Sequence, residues 1–225
     1  MRSGRLLGLD GDAAQLAAAG LVRLGTDEWL GGVAGAPAWL GRMRAASFAD
    51  AWLAFGESSA PGLRVPAGAV LRALVFRAAE LVLRARAGDG PAVLEWLGGR
   101  SAEAREQAGR EGVTHPAEPA ALALVWHGVQ AVSADGGRAS AADRECHGRR
   151  IDERGEAYVR ERHRRQDTLA LMLSCARIAA AALVELSEDD PARVSGWLAQ
   201  DAARYMDCGA PVPLWVPGRP GQPAG

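Results

Sequence analysis

The chain has 225 residues, enough for one domain with a substantial core, and its formal net charge is −1. A charge so close to zero gives no general attraction for nucleic acid or an anionic membrane, and three widely spaced cysteines argue against a disulfide framework. Ala, Leu, Arg and Gly dominate while Lys and Asn are absent, a bias that we attribute to a GC-rich bacterial genome. Reduced cysteines and an N-terminus without the apolar run of a signal peptide predict a cytoplasmic protein.

The first third of the sequence is rich in Trp and Gly. Asp12–Leu24 predicts a helix that Gly25 ends, and short helical pieces surround Trp29, Trp39 and Trp52. The segment 56–65 combines Gly, Ser and Pro, so it is the predicted flexible connection and the one candidate boundary inside the domain. We expect a Trp-rich and less regular N-terminal part.

Four further segments predict the helices of the core. Pro66–Arg86 begins with a first-turn proline and carries apolar residues at helical spacing, and Ala120–Ala134 contains no charged residue. Thr168–Leu186 is apolar on nearly every face, so it must be buried between neighbours on two sides. Pro191–Met206, with Asp190 as its cap, is the predicted last helix. Since no stretch alternates like a strand, the expected fold is an all-α helical bundle around Thr168–Leu186.

The length of Thr168–Leu186 also fits a membrane span. Inserting Arg177 at its centre into a bilayer would cost about 2.5–3.5 kcal/mol, and the many alanines contribute little favourable transfer free energy. We therefore expect a soluble core helix and no membrane partner.

Smaller features complete the predicted architecture. A short helix at Ala92–Leu97 is expected to end at Gly98-Gly99, before an exposed charged helix at Ser101–Glu111. The pentapeptide EWLGG occurs at 28–32 and again at 95–99, but its flanks differ, which favours compositional reuse over a helical repeat. The prediction is one α-helical domain over 1–210 and an extended Pro/Gly-rich tail over 211–225.

The region 140–187 has two possible forms. Ser140 and Asp143 have the spacing of a capping box, and no proline follows until Pro191. The pattern therefore predicts either one helix of more than forty residues or a helix that breaks at Gly148 or Gly155.

The charged half of that region holds the strongest candidate for chemistry. On a regular helix, steps of three and four residues join Asp152, Glu156, Arg160, His163 and Asp167 in one line. Carboxylates beside a histidine suit acid–base chemistry, so His163, Glu156 and Asp167 are candidate catalytic residues. The alternative, which the spacing favours, is a solvated ladder of ion pairs. Because the Glu-x-x-His pattern of di-iron bundles is absent, no metal site is expected.

His127 and the tryptophans supply a second set of candidates. His127 lies in an uncharged core helix, where a histidine is more often a hydrogen-bonded core residue than a catalytic group. Seven tryptophans are enough to line a pocket, but a chain poor in Phe and Ile first needs them to fill its core.

We predict a non-enzymatic interaction protein, an accessory subunit or adaptor, that forms a homodimer or docks a protein partner through the charged helix. The apolar seam of Thr168–Leu186 continues upstream and becomes polar, which is typical of a docking arm. The predicted interaction residues are Ile151, Tyr158, Arg154, Arg162 and Arg165.

Two alternatives from other functional classes remain open. One is a small helical enzyme or ligand-binding protein with a Trp-lined pocket and a site of histidine and carboxylate. The other is nucleic-acid association through the Arg-rich stretch Arg144–Arg165, although its acidic residues nearly cancel the positive charge. No motif identifies a cofactor or a reaction.

Overall fold

The computed structural model describes residues 14–27, 67–112, 117–133, 140–162 and 165–203, and all their regular structure is helical. The helices are α1 (residues 14–27), α2 (Ala67–Ala85), α3 (Gly90–Arg110), α4 (Ala117–Ser133), α5 (Ala141–Arg162), α6 (Arg165–Leu186) and α7 (Pro191–Ala203). The predicted all-α bundle is confirmed. The Trp-rich pieces from Trp29 to Trp52, the 56–65 connection and the 211–225 tail lie outside the described residues.

Helix α6 is the centre of the bundle, as its apolar faces predict. It packs most extensively against α2 and also contacts α4, α5 and α7. It is the one helix of the described ranges that is long and apolar enough to cross a membrane, and more than half of that stretch is buried in the bundle. Its apolarity is thus accounted for by packing on two sides. The buried side chains include Leu171, Met172, Cys175, Ile178, Ala179, Ala182 and Leu183.

Polar caps begin three of the helices. The Ser140 hydroxyl accepts a hydrogen bond of 3.1 Å from the Asp143 amide, and the Asp143 carboxylate accepts from Ser140 in return, so the predicted capping box is confirmed. Asp190 accepts from the Ala192 amide at 2.8 Å and begins α7. Asp89 caps α3 in the same way.

The region 140–187 contains two helices, α5 and α6, and residues 163–164 between them lie outside the described residues. The predicted break at Gly148 or Gly155 is wrong, since α5 runs through both. A Cβ on Gly155 would lie 2.7 Å from Leu71 Cδ2 of α2. Glycine at this position therefore allows two helices to approach closely, and the packing outweighs its low helix propensity.

Three other glycines predicted to end helices lie inside them. Helix α1 continues past Gly25 to residue 27, and a Cβ on Gly25 would lie 2.9 Å from Ala180 Cβ of α6. Helix α3 continues through Gly98 and Gly99, where an added Cβ would meet nothing within 4 Å. The two predicted short helices are therefore one exposed helix of 21 residues.

Gly128 of α4 is expected to tolerate no side chain. An added Cβ would lie 3.0 Å from Ala79 Cβ and 3.1 Å from the Val75 carbonyl oxygen, both on α2. We expect Gly128→Ala to lower the free energy of unfolding by about 1–3 kcal/mol through overpacking. Gly98→Ala is the matched control, and it should raise that free energy by about 0.5–1 kcal/mol because alanine is the better helix former. Urea unfolding followed by circular dichroism measures both, and equal effects of the two variants would contradict the close α2–α4 contact.

Candidate functional site

Helix α5 turns one side to the core and the other to solvent. The core side carries Gly148, Ile151, Gly155 and Tyr158, with Ile151 fully buried and Tyr158 only 8% exposed. The sequence pattern predicted that Ile151 and Tyr158 belong to a docking surface. That assignment is wrong, because both side chains pack against other helices of the same chain and cannot reach a partner.

The remaining predicted site residues lie on α4, on α5, on α6 or outside the described residues. Arg154 is exposed on α5, and Asp167 is half-buried in the first turn of α6 and has an interaction partner. His163 lies outside the described residues, and so do the side chains of Arg162 and Arg165.

A cleft of about 810 Å³ opens where α1, α2, α5 and the start of α6 meet. Its floor is apolar, with Leu71 and Phe76 from α2, Val159 from α5 and several alanines. No tryptophan of the described segments lines it, since Trp96, Trp126 and Trp197 pack half-buried against the core. The rim is polar and consists of Gln15, Arg72, Asp152, Glu156, Arg160 and Thr168.

Ion pairs match both carboxylates of the cleft. The Arg72 guanidinium of α2 donates to Asp152 through Nε at 3.0 Å and makes a second contact through Nη2. Glu156 lies 3.8 Å from Arg160, one turn further along α5. Of the residues predicted to form a ladder of ion pairs along α5, Glu156 and Arg160 form an i,i+4 pair, whereas Asp152 binds Arg72 of another helix.

Histidines of two helices meet on the other side of α5. The ring of His127, on α4, lies 6.2 Å from the ring of His147, on α5, with the planes tilted by 33°. His127 is 9% exposed and His147 is half-buried. The Nδ1 atoms of both are buried and accept or donate no hydrogen bond. Because buried polar atoms are nearly always hydrogen-bonded, two such nitrogens side by side are unusual.

Burial lowers the pKa of His127 below the ordinary value of a histidine, and the positive charges of Arg154, His147 and Arg150 lower it further. The imidazole of His127 is therefore neutral at pH 7. We expect the free energy of unfolding to fall as the pH drops below about 6.5, because the unfolded chain then binds a proton that the folded chain resists.

The test is a series of urea denaturations at decreasing pH for the wild type and for His127→Gln. The variant should lose less stability than the wild type over the same pH range, since it lacks the titrating imidazole. Identical slopes would contradict the assignment of this pH dependence to His127.

The Cys175 thiol is buried and unavailable for reaction. Burial raises the pKa of the Cys175 thiol to about 12, so this cysteine is protonated and inert. No three residues of types His, Cys, Asp or Glu in the described ranges lie close enough together to hold a metal ion. Two features remain as candidates, the cleft and the histidine pair. The chain matches no known protein family, no curated protein and no solved structure, so both are interpreted from their own geometry and charge.

Proposed function

We propose that the chain is a non-enzymatic interaction protein that binds an amphipathic helix of a partner protein in the cleft beside α5. The observation that carries the proposal is an apolar floor enclosed by ion-paired side chains. Protein interfaces have this anatomy, with an apolar centre that excludes water and a polar rim. A groove between helices is also the usual receptor for the apolar face of a partner helix.

The charges around the cleft favour a protein over nucleic acid as the partner. Because the charges on the rim are already matched, apolar side chains on the partner suit the floor and charges of both signs suit the rim. A polyanion that runs along the whole helix would need an excess of basic residues, whereas the exposed basic and acidic residues described on α5 are equal in number. Its exposed charged residues are Glu145, Glu153, Glu156, Glu161, Arg149, Arg150, Arg154 and Arg160.

Filling the cleft tests the proposal. Val159→Arg places a long charged side chain over the apolar floor, and Ser195→Arg, on the exposed side of α7, adds the same charge elsewhere. A photoreactive phenylalanine at position 159 is first used to identify the bound protein by crosslinking. We then expect Val159→Arg to weaken binding of the purified partner at least about tenfold in isothermal titration, with Ser195→Arg unchanged.

The alternative outcomes are distinguishable. If light scattering shows a wild-type dimer that Val159→Arg converts to a monomer, the occupant is a second copy of the chain and the proposal of a separate partner is overturned. Equal binding by both variants would overturn the cleft as the interface.

A small ligand is the second candidate, because about 810 Å³ lies within the range of ligand pockets. An apolar small molecule that raises the melting temperature of the wild type but not of Val159→Arg would favour this function. We also propose that the protein is cytoplasmic. The free thiols Cys146 and Cys175 are consistent with that location for either function.

A further inference from the structure

The α4–α5 contact collects basic side chains on the side of α5 away from the cleft. Three of them follow one another on α5 at steps of three and four residues, so they share one line on the helix. The fourth reaches them from α4. We call this set the basic cluster, and its members are His127, His147, Arg150 and Arg154.

Nothing in the described structure neutralises the basic cluster. Arg150 and Arg154 are exposed and form no ion pair with an acidic residue of the described helices. Asp143, one turn before His147 on the same line, is held at the start of α5 by its hydrogen bonds with Ser140. Among the described residues, the charged groups that act on His127 are positive and lie on α5.

We propose that the basic cluster is a binding site for a phosphate-type oxyanion. Such an anion supplies acceptors for guanidinium groups, which bind phosphate through paired hydrogen bonds. One oxygen atom at a hydrogen-bond distance of about 2.8 Å from a nitrogen of each ring is compatible with the 6.2 Å between the ring centres. The two unpartnered Nδ1 atoms would gain a partner on protonation.

The charge of the cluster also decides between an anion and a cation. Two imidazoles alone are a sparse ligand set for a transition metal, and the nearby guanidinium groups repel a divalent ion. The same groups attract an anion. The anion in turn favours the protonated imidazoles, so binding takes up protons from the solvent.

Isothermal titration of the full chain with inorganic phosphate tests the site. Phosphate itself loses a proton between about pH 6 and about pH 8, so the pH series uses sulfate, a tetrahedral oxyanion that does not titrate in this range. We expect tighter binding of sulfate at about pH 6 than at about pH 8, and net proton uptake when the sulfate titration is repeated in buffers of different ionisation enthalpy. Arg150→Gln should weaken binding about tenfold. The matched control is Arg149→Gln, which removes the same charge from the neighbouring exposed position outside the cluster. His147→Gln should abolish part of the proton uptake.

The source of the phosphate group is distinguished by a labelled oligonucleotide in fluorescence anisotropy. Binding of inorganic phosphate that depends on Arg150 identifies a small-anion site. Binding of the oligonucleotide alone, with the same dependence on Arg150, identifies the phosphates of a polynucleotide. The proposal is overturned if neither binds, if Arg149→Gln has the effect of Arg150→Gln, or if no protons are taken up. Circular dichroism of each variant confirms that the helices are retained.

Discussion

Replacing Arg77 by methionine is expected to lower the free energy of unfolding by about 3–5 kcal/mol. Nη2 of Arg77, on α2, lies 2.8 Å from Oδ2 of Asp201, on α7, and the two side chains are only 5% and 7% exposed. Arg77 also donates to the Gln15 carbonyl oxygen of α1 at 3.3 Å. Methionine fills a similar volume but leaves the Asp201 carboxylate buried without this cation, and an uncompensated buried charge is among the most destabilising of all changes.

Two further variants separate the effect of leaving Asp201 without its cation from other effects of the substitution. Arg77→Met combined with Asp201→Leu removes both charges, so it should recover most of the lost stability. Arg84→Met removes an arginine of the same helix that is 48% exposed and paired with Glu80, and it should change stability by less than about 0.5 kcal/mol. Urea denaturation followed by circular dichroism measures all three. An effect of Arg77→Met no larger than that of Arg84→Met would contradict the buried ion pair.

Arg77 also shows why sequence patterns predict helices better than helix contacts. In the pattern of α2 it is one more charged residue in an apolar helix, and its partner lies 124 positions away on α7. Helical periodicity is a local property, so it predicted the core helices, their caps and the two buried sides of α6. Contacts between distant helices depend on how the bundle assembles, and one sequence holds no signal for them.

Glycines caused the clearest errors for the same reason. The pattern treats glycine as a helix end because it is the poorest ordinary helix former. Gly25 and Gly155 instead lie where α1 meets α6 and α5 meets α2: an added Cβ would lie 2.9 Å from Ala180 Cβ at the first position and would displace the end of the Leu71 side chain at the second. Close contact between helices offsets the local cost. A glycine at such a crossing and a glycine on an exposed helix such as Gly98 look alike in the sequence.

For each contact at the candidate sites, the sequence predicted one of the two residues but not its partner on another helix. His127 and the carboxylates of α5 were recognised, but the partners that define their chemistry were not: His147 faces His127, and Arg72 holds Asp152. Each pair joins two helices. The sequence also predicted an apolar seam through Ile151 and Tyr158 without revealing what covers it, and the structure shows that the bundle itself does.

The second prediction with a large effect on stability concerns the buried side chain of Ile151. Ile151→Asp is expected to lower the free energy of unfolding by at least about 4 kcal/mol, because it removes a fully buried apolar side chain and places an unpaired carboxylate in its position. Typical domains are stable by about 5–15 kcal/mol, so the variant should be largely unfolded or melt far below the wild type. Thermal unfolding followed by circular dichroism is the measurement.

Two companions keep this result interpretable if Ile151→Asp does not fold. Ile151→Val removes one methyl group and should cost about 0.5–1.5 kcal/mol, an effect that an exposed isoleucine would not show. Ala142→Asp adds the same charge to the exposed first turn of α5, where the helix dipole favours a carboxylate, and should leave stability unchanged or slightly raised. If Ile151→Asp instead folded with wild-type stability, α5 would not be packed into the bundle, and a docking arm with Ile151 on its surface would again explain the seam.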